Sequence, residues 1–248
     1  MIPVLFFNSR WIEINADIFM LVGAIAFGMH FQFASKLDFN VYLKDEETRT
    51  FFYIVTILSL ILFGILFMNN IHADVTDDLH QSIFHVISFI TTTGYAADSF
   101  TAWPAQTGLL LLFTGYLGGC AGSTAGGNKI IRNILWVKII KLQLKRLIHP
   151  NGVFNVNYNG RRVDKVALSA TMTFITIAAS CSVFFTLLVM ATGLDFWTSF
   201  SAVATCLNVV GPAFGALGNN FQPASDTATW LFSVTMILGR LEYFTVLV

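Results

Sequence analysis

The sequence predicts an all-α integral membrane protein assembled from repeated units of helix, half-helix, polar link and helix. Three observations carry that reading. First, the chain is 55% hydrophobic and only 11% charged, against roughly 25% charged residues in soluble domains, with 25 phenylalanines and a mean hydropathy of +0.69. Second, several runs approach the length of about 20 apolar residues needed to cross a bilayer. Third, one order of segments occurs twice. The formal net charge is zero, so no basic excess points to nucleic acid. Cys120, Cys181 and Cys206 fit no CxxC or zinc spacing and read as small buried residues. The start "MIPVLFFNSR" lacks the basic region that precedes the apolar stretch of a cleavable signal.

Taken in order, residues 14–33 form a first spanning candidate, apolar apart from Asn15, Asp17, His30 and Gln32. Residues 51–68 form an uninterrupted second, residues 166–190 a third without any charge, and residues 228–248 a fourth carrying only Arg240 and Glu242. A fifth region is broken: "TGLLLLFTGYL" is too short to span, "GGCAGSTAGG" interrupts it, and "NKIIRNILWVKIIKLQLKRLI" resumes as a basic amphipathic helix. Two further helices, over 77–90 and 195–205, each open on aspartate as an N-cap and are too short to span. They read as re-entrant half-helices.

Basic residues orient the chain. Nine of its fourteen Lys and Arg lie between Lys129 and Lys165, and none between Thr50 and Asn128. The positive-inside rule makes 129–165 cytoplasmic and sets the half-helices on the opposite side. Asp74, Asp77, Asp78, Asp98, Asp195 and Asp226 lie there with no basic neighbour in sequence. They read as an acidic vestibule that concentrates cations, with helix caps and solvated loop carboxylates as the plainer alternative for each.

The repeat fixes the candidate site. Span 51–68, half-helix 77–90, "TTTGYAADSF" and the broken span match span 166–190, half-helix 195–205, "CLNVVGPAFG" and span 228–248. Such repeats are frequent in transport proteins. Residues 14–33 read as the last helix of a preceding unit, and the chain stops inside a helix at Val248, as expected of a fragment or incomplete product of a longer repeated protein. A half-helix ending at membrane depth presents unpaired carbonyls and a partial negative charge, and non-helical backbone there must be buried in protein or line a watery cavity. Carbonyls of Thr91, Thr92, Thr93 and Gly94, and of Asn208, Val209, Val210 and Gly211, are therefore expected to line a cation site, replacing the hydration shell of an ion such as potassium. The plainer alternative is a turn between packed helices.

"GGCAGSTAGGNK" lacks the Gly-Lys-Ser/Thr of a phosphate loop and follows a membrane helix, not a strand. It reads as a mobile constriction below the site, with Gly118, Gly119, Gly122, Gly126 and Gly127 supplying flexibility and Ser123 and Thr124 polar contacts. Arg240 lies deep in the last span and points away from Glu242, so its expected partner is that loop or the ion path, with snorkelling to the interface as the alternative. His80 and His85 are off the spacing that pairs ligands on one helix face, His30, His72 and His149 are scattered, and no catalytic constellation stands out.

The runs "SFITTTGYAADSFTAWP", "GGCAGSTAGGNKIIR", "KRLIHPN", "CLNVVGPAFG" and "GRLE", in that order, resemble the TrkH-type potassium uptake proteins of the Trk/Ktr/HKT superfamily. The likeness covers essentially the whole chain. It implies a potassium-channel-like fold of repeated helix–pore helix–filter loop–helix units around one pore. Residues 1–50 would hold the last helix of a preceding repeat plus a loop, 51–150 the third repeat with its interrupted inner helix, and 151–248 the fourth, truncated at its end. The resemblance implies that Gly94 and Gly211 are filter glycines, that 118–127 is an intramembrane gating loop near Arg240, and that potassium is the transported ion with no cofactor. It implies a bacterial inner-membrane homodimer that binds a cytoplasmic nucleotide-binding regulatory ring of the TrkA type. Ala125, Ala213 and Val209 depart mildly from the family pattern. The competing expectations are a non-transporting membrane remnant that serves only as an interaction partner, and a membrane enzyme, for which paired catalytic groups are lacking.

Overall fold

The computed structural model describes residues 4–7, 9–150, 152 and 154–241. Helices dominate the described residues, with one short hairpin pairing β1 (Asn157–Tyr158) and β2 (Arg161–Arg162).

The first apolar run does not cross as one helix. Helix α1 (Arg10–Ala24) stops before Ile25, whose backbone is extended, and α2 (Phe27–Lys36) departs with a bend of 95°. This corrects the continuous span expected over residues 14–33. The cause lies far along the chain. Gly23 and Ala24 carbonyls accept from the backbone N–H groups of Thr124 and Cys120 at 3.2 and 2.9 Å, and the Phe27 N–H donates to the Gly122 carbonyl at 3.0 Å. The Gly-rich loop thus replaces the bonds a continuing helix would have made, which broken helices at membrane depth require.

After α3 (Asn40–Lys44), α4 (Glu46–Met68) is long and apolar enough to span. Asp45 caps it by accepting from the Thr48 N–H at 2.8 Å, and Glu46 and Glu47 complement the positive end of the helix. Phe51, Val55, Leu58, Leu62 and Leu66 recur at helical spacing and are buried, many of them beside α5 (Val75–Ile90). Tyr53, Ile57 and Leu60 on the opposite side are exposed, as suits a lipid-facing surface. Helix α5 starts a turn earlier than expected: Asp74 occupies the N-cap, and its carbonyl accepts from the N–H groups of Asp77 and Asp78. Those two aspartates therefore sit inside the first turn rather than capping it.

Helices α6 (Ala105–Leu117) and α7 (Ile130–Ile148) are the two halves of the interrupted span. Helix α8 (Lys165–Met190) is the second full-length span, and α9 (Phe196–Leu207) is the second half-helix, capped by Asp195, which accepts from the Thr198 N–H at 3.1 Å. Helix α10 (Asp226–Arg240) is the start of the last expected span; residues 242–248, including Glu242, lie outside the described residues. Helix α9 packs on α8 and α10 through buried Ala202, Val203, Cys206 and Leu207, and Ala228 of α10 is fully buried. Such small residues let helices approach closely where no hydrophobic drive separates them from lipid. Cys120 and Cys206 are buried as expected, whereas Cys181 is only half-buried.

Candidate functional site

Both half-helices end the same way. In α5 the chain passes through Thr91 to Thr92 at φ +54°, with the Thr92 N–H on the Phe89 carbonyl and the Thr93 N–H on the Ser88 carbonyl. In α9 it passes through Asn208 to Val209 at φ +58°, with the Val209 N–H on the Cys206 carbonyl and the Val210 N–H on the Thr205 carbonyl. The turns correspond in hydrogen bonding and in the sign of φ: Thr91 with Asn208, Thr92 with Val209, Thr93 with Val210, Gly94 with Gly211. A β-branched residue rarely adopts positive φ, yet both links do so at the same place. Strain kept twice in equivalent positions marks a geometry the surrounding structure imposes.

The links meet. Gly94, at φ +72°, lies so close to the Val210 carbonyl that a side chain would overlap it, and would come within 2.8 Å of Pro212 Cδ. Thr93, Gly94, Val210 and Gly211 share a cleft of about 390 Å³ with Tyr95 and with Asn219 and Asn220. Thr91 and Asn208 are not among the residues that line it. Thr91 Oγ1 bonds Thr93 Oγ1 at 2.9 Å, and Asn208 Nδ2 donates to the Ala204 carbonyl at 2.8 Å. Phe214, from the second link, inserts among Phe89 and Phe100 of the first unit and locks the two together.

The Gly-rich loop lies against the other end of both links. The Gly126 N–H donates to Thr92 Oγ1 at 2.6 Å, and a Cβ on Gly126 would sit 2.5 Å from the Asn208 carbonyl. At the neck, a Cβ on Gly127 would come within 2.7 Å of Gly118 Cα, and the Ile130 N–H donates to the Gly119 carbonyl at 2.9 Å. Ser123 Oγ bonds the Cys120 carbonyl and Thr124 Oγ1 the Gly23 carbonyl. Gly122, held by the Phe27 N–H on its carbonyl, has open space where a Cβ would stand. Arg240 shares a small cleft with Ser123, Thr124, Gly126, Gly127 and Val209. Of the loop positions singled out in the sequence, these meet Arg240, while Gly118 and Gly119 form the neck.

Two charged residues at the loop were missed by sequence reasoning. Glu47, buried at the start of α4, accepts from the backbone N–H groups of Ala121 at 2.7 Å and Ile131 at 3.1 Å, so one carboxylate oxygen pins both limbs of the loop. Lys129 is buried at φ +71°, and its ammonium donates to the Ala125 carbonyl. Both stand at the end of an apolar run, where charges ordinarily mark the interface.

The acidic vestibule also needs correcting. Asp77 is ion-paired with Arg10, brought in from α1. His72 bridges Asp78 at 2.7 Å and Asp98 at 3.0 Å, and Asp98 also accepts from Trp103 Nε1 at 3.1 Å. Burial alone would lower the His72 pKa, but the two carboxylates outweigh it and raise it above the ordinary value. Burial works upward on Asp98, yet its bonds from His72, the Ser99 N–H and Trp103 leave its pKa depressed. With Asp195 capping α9, four of the six aspartates hold structure rather than standing free.

A family model for TrkH, described as a cation transport protein, matches residues 4–248. The chain belongs to the TrkH family. TrkH-named potassium uptake proteins from Salmonella typhimurium and Vibrio parahaemolyticus are 36% and 37% identical over 98% of this chain and 50% of their own length. The Escherichia coli potassium uptake protein TrkG is 32% identical over the same shares. The crystal structure of the potassium transporter TrkH from Vibrio parahaemolyticus superimposes with a TM-score of 0.93 at 36% identity, covering 99% of this chain and 53% of that one. This TrkH-family chain is thus a predominantly helical, multi-pass membrane protein, and it spans about half the length of the curated relatives it matches.

Proposed function

We propose that the chain forms part of a potassium uptake pathway in which the backbone carbonyls of Thr91, Thr92, Thr93 and Gly94, and of Asn208, Val209, Val210 and Gly211, coordinate the ion. One observation carries this reading: two half-helices from successive repeats end side by side, through the same strained turn, on one point of the Gly-rich loop. Each contributes unpaired carbonyls and about half a negative charge, which suits a dehydrated cation and repels an anion. The loop closes the path on the inner side, with Gly118, Gly119, Gly122, Ser123, Thr124, Gly126 and Gly127 as its moving part and Arg240 against it. Potassium is the ion because the relatives carry that name.

Two links are two sides of a filter. Relatives of twice the length have room for the remaining repeats, and the complete path is read as four-sided. In the same reading 129–165 faces the cytoplasm of a bacterial inner membrane, the half-helices enter from outside, the protein is a homodimer, and a nucleotide-binding regulatory subunit of the TrkA type docks on the basic face. The competing reading is a membrane-embedded interaction partner that does not transport. Rubidium uptake by potassium-uptake-deficient cells separates the two. Uptake that depends on the chain and is lost in Gly94→Ser and Gly211→Ser supports the pathway; uptake unchanged by either substitution overturns the filter assignment, and absence of any uptake favours the interaction partner.

A further inference from the structure

We infer that the cleft between α4, α6, α7 and α8 is a binding site for an anionic glycerophospholipid, its acyl chain inside the cleft and its phosphate on Lys141 and Lys145. The cleft holds about 550 Å³ and is walled by Ile54, Phe113, Ile134, Val137 and Ile175, a size in the range of about 300–1,000 Å³ typical of small-molecule sites. Lys138 and Lys141 line its mouth, and the same two lysines line an adjoining groove of about 450 Å³ with Lys145 and Asn155. Apolar space therefore opens directly onto a basic rim.

The rim lysines divide their work. Lys138 is committed to the protein: it pairs with Glu46, donates to the Asn157 carbonyl at 2.8 Å and lies 5.6 Å from the Tyr158 ring centre. Lys141 and Lys145 are one turn apart on α7, on the same side, and no carboxylate among the described residues pairs with them. Trp136, 41% exposed, lines the cleft beside them, as aromatic anchors do at the membrane–water boundary. An amphipathic molecule with an apolar tail and a compact anion matches this order of surfaces. A soluble anion leaves the cleft empty, and a neutral lipid leaves the two lysines without a counter-charge. Basic pockets between membrane helices select anionic headgroups on these terms.

The test is native mass spectrometry of the full-length membrane protein in mild detergent, with phosphatidylglycerol and phosphatidylcholine of matched chains. Phosphatidylglycerol is expected to be retained preferentially, and Lys141→Ala and Lys145→Ala each to lower its retention about fivefold, while Lys141→Arg restores it. Val137→Trp, which fills the cleft and leaves the lysines in place, is expected to abolish retention. Should that variant not fold, the surface lysine pair still decides. Equal retention of both lipids, or no effect of the lysine changes, overturns the site. So does displacement of the lipid by glycerol phosphate at equal concentration, which would make it a simple anion site. Cross-linking of two copies through Val137→Cys with no lipid retained would assign the cleft to a second copy and also overturn it.

Discussion

The two repeats agree where an ion would be held and differ where a path would be closed. From Thr91 to Gly94 and from Asn208 to Gly211 the backbone follows one course, down to positive φ on a non-glycine residue at the second position. Beyond the links they diverge. After the first link the chain runs through α6 to Leu117 and, past a Gly-rich loop, through α7 from Ile130; after the second it runs through α10 from Asp226 to Arg240, and residues 242–248 lie outside the described residues. Helix α10 brings Arg240 to the loop of the first unit. Coordination by backbone needs the same geometry from every side. A gate needs only one side to move, and the Gly-rich loop belongs to the first unit alone, with Arg240 of the second beside it.

The sharpest way to break that comparison is at the paired glycines. Each has positive φ, which costs a substituted residue about 1–3 kcal/mol. Gly94 is in addition pressed against the Val210 carbonyl, while Gly211 has nothing within 4 Å of where a Cβ would stand. Gly94→Ala is expected to abolish rubidium uptake, and Gly211→Ala to reduce it about tenfold, the equivalent of about 1.4 kcal/mol. Equal losses would mean that the contact between the links does not matter to the path.

The loop gives the next effect. Glu47→Ala leaves two half-buried N–H groups, of Ala121 and Ile131, without their acceptor, at a cost of about 0.5–1.5 kcal/mol for each bond lost. Lower thermal stability and faster thiol labelling of a Ser123→Cys reporter are expected together. Glu47→Gln, whose amide oxygen can accept the same bonds, should recover most of both. Unchanged labelling in Glu47→Ala would remove the carboxylate from any role in holding the loop.

Thr92 and Val209 are equivalent in backbone but not in side chain, so exchanging them isolates a single hydrogen bond. Thr92→Val deletes the acceptor of the Gly126 N–H and copies the residue its counterpart already carries. The expected loss is about 0.5–1.5 kcal/mol, read as increased labelling of the same reporter, with Val209→Thr near neutral. A larger effect from Val209→Thr would show that the loop leans on the second link instead.

The half-helices, both links and the interruption of the first unit were legible because they are written locally, in apolar runs that end on Thr, Asn and Gly. The bend between α1 and α2 was not. Hydropathy runs straight through Ile25 and Ala26, and what breaks the helix is a set of backbone bonds from Cys120, Gly122 and Thr124. Glu47 and Lys129 were missed for a related reason. A charge at the end of a spanning run is normally solvated at the interface, and only the returning loop turns these two inward. The vestibule was misjudged because Arg10 and His72, distant or neutral in the sequence, reach the aspartates in space.

The smallest expected effect concerns the entry side, where the units differ again. The first ties its half-helix to the link through an ionisable group, His72 between Asp78 and Asp98; the second does so through neutral hydroxyls, with Ser201 Oγ accepting from the Phe214 N–H at 3.1 Å and Thr198 Oγ1 from the Ala216 N–H at 3.1 Å, beside the Asp195 cap. The raised His72 pKa makes its contribution fully present below about pH 6.5 and lost as pH rises through the folded-state value. The depressed Asp98 pKa makes its contribution present above about pH 3.9 and lost as pH falls through its own folded-state value. The bridge is therefore strongest between these limits and weakens on the alkaline side. Because His72 is partly solvated, the loss should stay below about 1 kcal/mol. Thermal unfolding between pH 6 and 8 is expected to show a shallow decline in the wild type that His72→Phe flattens. A decline of the same slope in both proteins would place the titrating group elsewhere and leave the two entry sides equivalent.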